Sequence, residues 1–337
     1  MTEKLQNAIA SLEVDLEGGA ITSFEMIDQG INPLEFSFSE EQMPENNRAG
    51  APYKGHFICL GRWGSPSAGE IQKGVPHHGQ FANMVWKTES RHSLELQMSA
   101  SSELEGLAVQ REIQMHPHSP VVAVKETVEN IQTLDRLYNL VQHPTVTWPF
   151  LEAGTLVDCN AGRGFSQDHY QCPQDFGTSW PVGYGKGGQS IDLRSPSEES
   201  NGIYSYVIDS AEPLGWITCY SPGSRTLIGY VWSRNDYPWI HLWMSWDHGR
   251  LRYRGLEFGT AGIHQPFRKL LQQPEIFGQS TFRYLEAGSK KTYRYQAFLL
   301  QTPYQFEGVN SLNIREGRIC IVPKGNLDEI RLPSLVE

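Results

Sequence analysis

Apolar and polar residues alternate one for one in Ser93-Leu94-Glu95-Leu96-Gln97-Met98, across residues 292–300, and again in Arg318-Ile319-Cys320-Ile321-Val322. A period of two turns one face of an extended segment toward a core and the other toward solvent, so each run predicts a half-buried strand. Helical spacing is scarce. The clearest helix is expected over residues 265–273, where Phe267, Leu270 and Leu271 share one face after Pro266. The Gly- and Lys-containing segment 286–291, between the apolar run 281–285 and the strand that follows, predicts a hairpin connection.

Turn formers are plentiful, with 32 Gly and 20 Pro, and they concentrate in residues 64–74 and 181–201. Both stretches are expected to be long loops, the places where a rigid β scaffold usually builds its binding sites. No composition shift, low-complexity tract or internal repeat divides the chain. Its 337 residues are ample for a sizeable core. The expectation is an all-β fold, one large antiparallel β-sandwich domain over residues 1–337 with few short helices.

Acidic residues outnumber basic ones by 38 to 28, and no Lys/Arg cluster of the kind that tracks phosphates is present, which argues against a nucleic-acid partner. A neutral, polar ligand fits better. Nine Trp, 14 Tyr and 14 Phe could floor a sugar site, although most such rings belong to cores. The five cysteines, Cys59, Cys159, Cys172, Cys219 and Cys320, are scattered and show no paired metal spacing, as free thiols in a reducing compartment would be. Residues 1–11 lack a basic segment followed by an apolar run, and no apolar stretch approaches membrane-spanning length. A soluble, cytoplasmic protein is expected, without a membrane partner.

Two residues stand out for proton-transfer chemistry. His143 ends the apolar-rich run 137–141 before Pro144, so it should lie where a strand turns out of its sheet. Glu257 stands between Leu256 and Phe258 ahead of a Gly-rich turn, where burial should push its pKa toward that of a general base. An ion pair with Arg252 or Arg254 is the plainer reading of Glu257, and a buried, hydrogen-bonded imidazole that of His143. His77 and His78 are adjacent, and on a strand only one could face a given pocket. His116 and His118 would share a strand face, but no third ligand completes a metal site at recognisable spacing, so no metal or other cofactor is expected.

Several of these positions together resemble the galactose mutarotase (aldose 1-epimerase) superfamily. The resemblance spans roughly residues 12–300: Gly18-Gly19 followed by Asn32-Pro33-Leu34, His78-Gly79 with Trp86 downstream, Asn139-Leu140-Val141-Gln142-His143, and Gly255-Leu256-Glu257. It implies a large twisted β-sandwich with a cleft on one sheet and cofactor-free interconversion of sugar anomers. It also implies Glu257 as base at the anomeric hydroxyl, His143 as acid at the ring oxygen, and His78, Trp86 and Gln142 among the substrate-binding residues. The sequence departs from the family where a sugar-binding Arg is expected: that position is Ala82, followed by Asn83. Asn83, Arg62 or Arg163 could take its place, and a divergent branch with a different sugar is implied. Two other readings stay open. One is a carbohydrate-binding protein without turnover, and the other is glycoside hydrolysis or lyase chemistry using Asp236, Asp247 and His248 near Glu257.

Overall fold

The structure, a computed structural model, describes every residue except 186, 196, 336 and 337. Two antiparallel sheets dominate it. The first has ten strands, and its middle runs His56–Leu60, Leu140–Thr147, Arg250–Gly259, Trp239–Asp247 and Gly202–Ile208 in spatial order. The second has eight, with Thr226–Ser233, Lys290–Gln301, Val121–Asn130 and Leu107–Met115 at its centre. Ile58, Leu140 and Leu256 from the first sheet meet Val109, Val124 and Leu299 from the second in one apolar layer.

The alternating sequences behave as expected. Residues 95–98 begin the strand Glu95–Ser102, which alternates exposed and buried positions along most of its length. Central strands depart from that rhythm: Thr226–Ser233 is buried at seven of eight positions. Here a three-stranded sheet of Val309–Arg315, Arg318–Pro323 and Ile330–Pro333 covers the outer face of the second sheet. It sets Leu312, Ile319 and Ile321 against Trp216, Val231 and Phe298, so both faces of the covered strands must be apolar.

One expected connection is different. Arg283–Leu285 pairs with Arg136–Tyr138 rather than folding back on Lys290–Gln301. The long strand Lys290–Gln301 already has a neighbour on each edge, Thr226–Ser233 and Val121–Asn130, so its ladder is full. The expected helix forms over Phe267–Gln272. Residues 64–74 carry one short helix, Ala68–Gln72, and residues 181–201 a two-stranded ribbon of Val182–Tyr184 and Ser190–Asp192. No described helix is long and apolar enough to cross a membrane, and all five cysteines are unpaired.

Candidate functional site

Strand register puts the proposed acid and base face to face. His143 lies inside the strand Leu140–Thr147, which continues through Pro144 rather than ending before it. On one side this strand pairs His143 with Phe57; on the other, Gln142 pairs with Phe258 and Thr145 with Gly255. The ladder is interrupted between those two pairs, where Pro144 has no N–H to give. Counting inward from either pair brings His143 opposite Glu257, and directly opposed side chains on one face of a sheet start only about 5 Å apart. Next along the same row, Glu257 pairs with His241 and His241 with Ser205.

The side chains follow from that row. His143 Nε2 lies 3.1 Å from Glu257 Oε1, and the Trp63 indole N–H donates to Glu257 Oε2 at 3.0 Å. Arg252 and Arg254 form no pair with this carboxylate, and Arg254, one residue out of phase, reaches the carbonyls of Thr155 and Arg194 instead. His143 Nδ1 is 3.1 Å from the Thr145 hydroxyl, and its ring stacks on Phe57 at 4.2 Å. Both titratable groups are buried, His143 at 5% and Glu257 at 1% exposure. Burial pushes Glu257 up to about 8 against the lowering effect of Trp63, and burial holds His143 well below its ordinary value. Below about pH 8 the pair therefore rests with a neutral carboxyl and a neutral imidazole, sharing one proton.

Both groups line one cavity of about 210 Å3. Its floor exists because position 255 is glycine: a Cβ there would come within 2.9 Å of Glu257 Oε1 and 3.1 Å of Trp243 Cβ. His78 lines it too, and so does His77, against the expectation that adjacent residues diverge. That expectation assumed a strand. His78 instead adopts a left-handed φ of 62°, a conformation histidine tolerates better than most residues, and the two rings come within 4.1 Å of each other. Asn47 pins the turn by accepting from His77 N–H at 2.9 Å and donating to His77 C=O at 2.9 Å.

His264 completes a polar wall of imidazoles, its ring 5.3 Å from His78 and 4.8 Å from Trp63. Burial is the first cause that keeps all three neutral, with His77 near 4 and His264 near 3. One ring nitrogen from each of His77, His78 and His264 lies within 4.8 Å of the others, which raises the question of a metal. The donor set does not fit one. His78 Nδ1 accepts from Gly64 N–H at 3.1 Å, so its neutral ring carries the proton on Nε2 and offers a donor, whereas a metal-bound histidine donates from its second nitrogen. That N–H suits a hydroxyl.

Four expected binding residues lie elsewhere. Gln142, next to His143, points to the opposite face of the sheet, as alternation demands. There it donates to Glu126 and Tyr237 and bonds His56 inside the sandwich. Trp86 is core: its indole N–H donates to Phe81 C=O at 2.9 Å, Arg111 sits over its ring at 4.6 Å, and only a glycine at position 19 leaves room for it. Arg62 turns from the cavity to pair with Glu70 and cover the Phe267 ring at 4.8 Å. Asn83 acts at one remove, bonding Asn47 and donating to Ala51 C=O at 2.7 Å.

The other named candidates are equally distant. Arg163 covers Phe277 at 4.3 Å, so among the described residues no Lys or Arg lines the cavity. Asp247 and His248 are exposed at the tip of the hairpin after Trp239–Asp247, and Asp236 faces Lys291 and Arg294. His116 and His118 sit in a turn, where His118 N–H donates to His116 Nδ1 at 3.1 Å and occupies that nitrogen. Conversely, Trp63, Trp243 and His264 are lining residues that the sequence analysis did not single out. Trp-x-His-x-Trp at positions 239–243 was a readable signal that His241 and Trp243 share a face; nothing local marks His264.

No family model matches the sequence, and no curated protein does. Solved structures do resemble it. A protein from Synechocystis sp. PCC 6803 is 14% identical, with 90% of this chain and 96% of that one covered at a TM-score of 0.63. A galactose mutarotase related enzyme from Lactobacillus acidophilus is 10% identical, with 90% and 98% covered at 0.62. A galactose mutarotase-like protein from Lactobacillus casei is 13% identical, with 89% and 100% covered at 0.57. At such identities the likeness speaks for architecture, and it agrees with the sheets described above: this chain has the galactose mutarotase-like β-sandwich fold.

Proposed function

We propose that this protein is a carbohydrate-active isomerase of the aldose 1-epimerase type, interconverting the anomers of a small sugar. The observation that carries the reading is the His143–Glu257 contact of 3.1 Å on the floor of one cavity. Ring opening needs a base at the anomeric hydroxyl and an acid at the ring oxygen, two atoms bonded to the same carbon, so the two groups must stand side by side. A sugar inserts its O1–C1–O5 unit into the contact. With the single shared proton moved across the contact from Glu257 to His143 Nε2, the Glu257 carboxylate takes the O1 proton as His143 delivers its proton to O5, the C1–O5 bond breaks, and an open-chain aldehyde forms. Rotation about C1–C2 and closure with the two groups exchanging roles give the other anomer. Proton count is conserved through the cycle, so the pair works in its one-proton state. His78 Nε2–H holds a sugar hydroxyl.

A cavity of about 210 Å3 is smaller than the ~300–1,000 Å3 sites of drug-sized ligands and suits a single ring. Hydrolysis is disfavoured, since it needs two facing carboxyl groups and Glu257 is the one carboxylate in the described lining. A binding protein without turnover is the second reading, favoured by the absence of an Arg at position 82.

Anomer exchange followed by NMR over a sugar panel tests the proposal. Glu257→Gln should lower the catalysed rate by about 10²–10⁴-fold while leaving sugar binding and thermal unfolding close to wild type. Wild-type protein that binds sugars without speeding exchange would leave the binding reading, and an unaffected Glu257→Gln variant would exclude Glu257 from the chemistry.

A further inference from the structure

The proton shared by His143 and Glu257 can be followed atom by atom, because its neighbours leave one hydrogen-bond direction open. Below about pH 8 both groups are neutral. The Trp63 indole N–H can only donate, and it donates to Glu257 Oε2 at 3.0 Å, so that oxygen serves as the carbonyl of the neutral carboxyl. The acidic hydrogen then sits on Oε1, which faces His143 Nε2 at 3.1 Å. Nε2 is thereby the acceptor, and the one hydrogen of the neutral imidazole is on Nδ1.

Nδ1 meets Thr145. Two residues on from His143 along the strand Leu140–Thr147, Thr145 shares its face of the sheet, and its Oγ1 lies 3.1 Å from Nδ1. The same hydroxyl lies 3.5 Å from the His143 carbonyl oxygen, which can only accept. Four donors therefore run one way: Trp63 N–H to Glu257, Glu257 O–H to His143 Nε2, Nδ1–H to Thr145 Oγ1, and that hydroxyl back to the His143 carbonyl. Among the described residues no other side chain bonds Nδ1; the rings of Phe57 and Trp243 flank the imidazole at 4.2 and 5.8 Å. Thr145 is 0% exposed, which keeps water from competing for Nδ1. Glycine stands on each side of it, Gly255 as its strand partner and Gly55 accepting from its N–H at 3.1 Å, so no cross-strand side chain crowds the hydroxyl.

We propose that Thr145 is a positioning residue that acts through His143: its hydroxyl holds the imidazole in the Nδ1–H form, which turns the Nε2 lone pair toward Glu257, and it stabilises the imidazolium once the proton has crossed. The catalytic consequence rests on the isomerase reading. Transfer from Glu257 Oε1 to Nε2 breaks the O–H bond and forms the N–H bond, leaving a carboxylate and an imidazolium with the number of protons unchanged. Burial of His143 opposes that transfer. The bond from Nδ1–H to Thr145 favours it, because a hydrogen bond strengthens when its donor becomes charged. Without the hydroxyl, Nδ1–H would be buried and unsatisfied. The ring would then favour the tautomer with its hydrogen on Nε2, which has no lone pair to receive the carboxyl proton.

Nitrogen-15 NMR of histidine-labelled protein near neutral pH, with His143→Gln to assign the ring, reads the tautomer without any substrate. Nδ1 should be protonated and Nε2 unprotonated; the reverse in the wild-type protein would overturn the inference, whether or not a variant at position 145 folds. Thr145→Val exchanges the hydroxyl for a methyl group of similar shape, and Thr145→Ser keeps the hydroxyl. In Thr145→Val the Nε2–H form should appear, and kcat for anomer exchange should fall about tenfold with KM little changed, the factor by which a charge-assisted hydrogen bond exceeds a neutral one. Thr145→Ser should keep the wild-type tautomer and most of the rate. A valine variant with tautomer and kcat unchanged, or a serine variant as slow as the valine one, would overturn the inference. Wild-type protein with the Nδ1–H tautomer that catalyses no exchange would instead refute the isomerase reading and leave the hold of Thr145 on the ring standing.

Discussion

Replacing Trp63 with phenylalanine isolates one hydrogen bond and predicts a measurable shift in the proton held by the cavity. The Trp63 indole N–H donates at 3.0 Å to an oxygen of Glu257, which is 1% exposed. A hydrogen bond to an ionised acceptor contributes about 1.5–3 kcal/mol, roughly twice the value for a neutral one, so the bond favours the carboxylate over the carboxyl by about 1–1.5 kcal/mol. Loss of the donor should therefore raise the Glu257 midpoint from about 8 by roughly one pH unit, at 1.36 kcal/mol per unit. Phenylalanine keeps a ring where Trp63 packs at 4.1 Å on His241, which limits the water that would pull the midpoint back down. A carbon-13 NMR titration of labelled glutamate side chains, with Glu257→Gln to assign the resonance, measures it directly. A midpoint that stays put or falls would refute the claim that this bond stabilises the ionised form.

The wild-type pH profile follows from the same two groups. Burial raises Glu257 to about 8 and lowers His143 well below its usual value, so the one-proton state persists across neutral pH. Catalysed exchange should be flat there, fall about tenfold per pH unit above about 8 as the proton is lost, and fall on the acid side only well below pH 6.5 as a second proton is gained. Activity that halves between pH 6 and 7 would contradict this. His78→Asn keeps a residue type that tolerates the left-handed backbone and an oxygen able to accept from Gly64 N–H, but removes the Nε2–H; KM should rise about tenfold with kcat little changed. Equal KM values would remove His78 from sugar binding. Arg111→Met strands Glu126, 0% exposed and paired with Arg111 at 2.7 Å, and should lower stability by about 3–5 kcal/mol in chemical denaturation; a loss under 1 kcal/mol would mean that the pair is not what satisfies this interior charge.

What could be read along the chain was whatever depends on neighbouring residues. Alternation in 93–98, 292–300 and 318–322 announced strands, Pro266 with Phe267 and Leu270 announced the short helix, and Gly and Pro marked the loops. His143, Glu257 and His78 were legible as candidates through their motifs, and all three reached one cavity. The same motifs also nominated Gln142 and Trp86, which a strand's two-residue period and a packed core carry to the other side of the sheet. His77 was misjudged for a local reason, since a left-handed His78 breaks the alternation that would have separated the two rings.

Local order along the chain was thus settled by composition and periodicity, because φ/ψ preferences and hydrophobic alternation act over a few residues. The meeting of His143 with Glu257, the indole of Trp63 on that carboxylate and the arrival of His264 at the wall were decided by tertiary structure alone. Those contacts depend on which strands become neighbours and in what register, and register is set by burying two whole sheets against each other rather than by any segment that carries the chemistry.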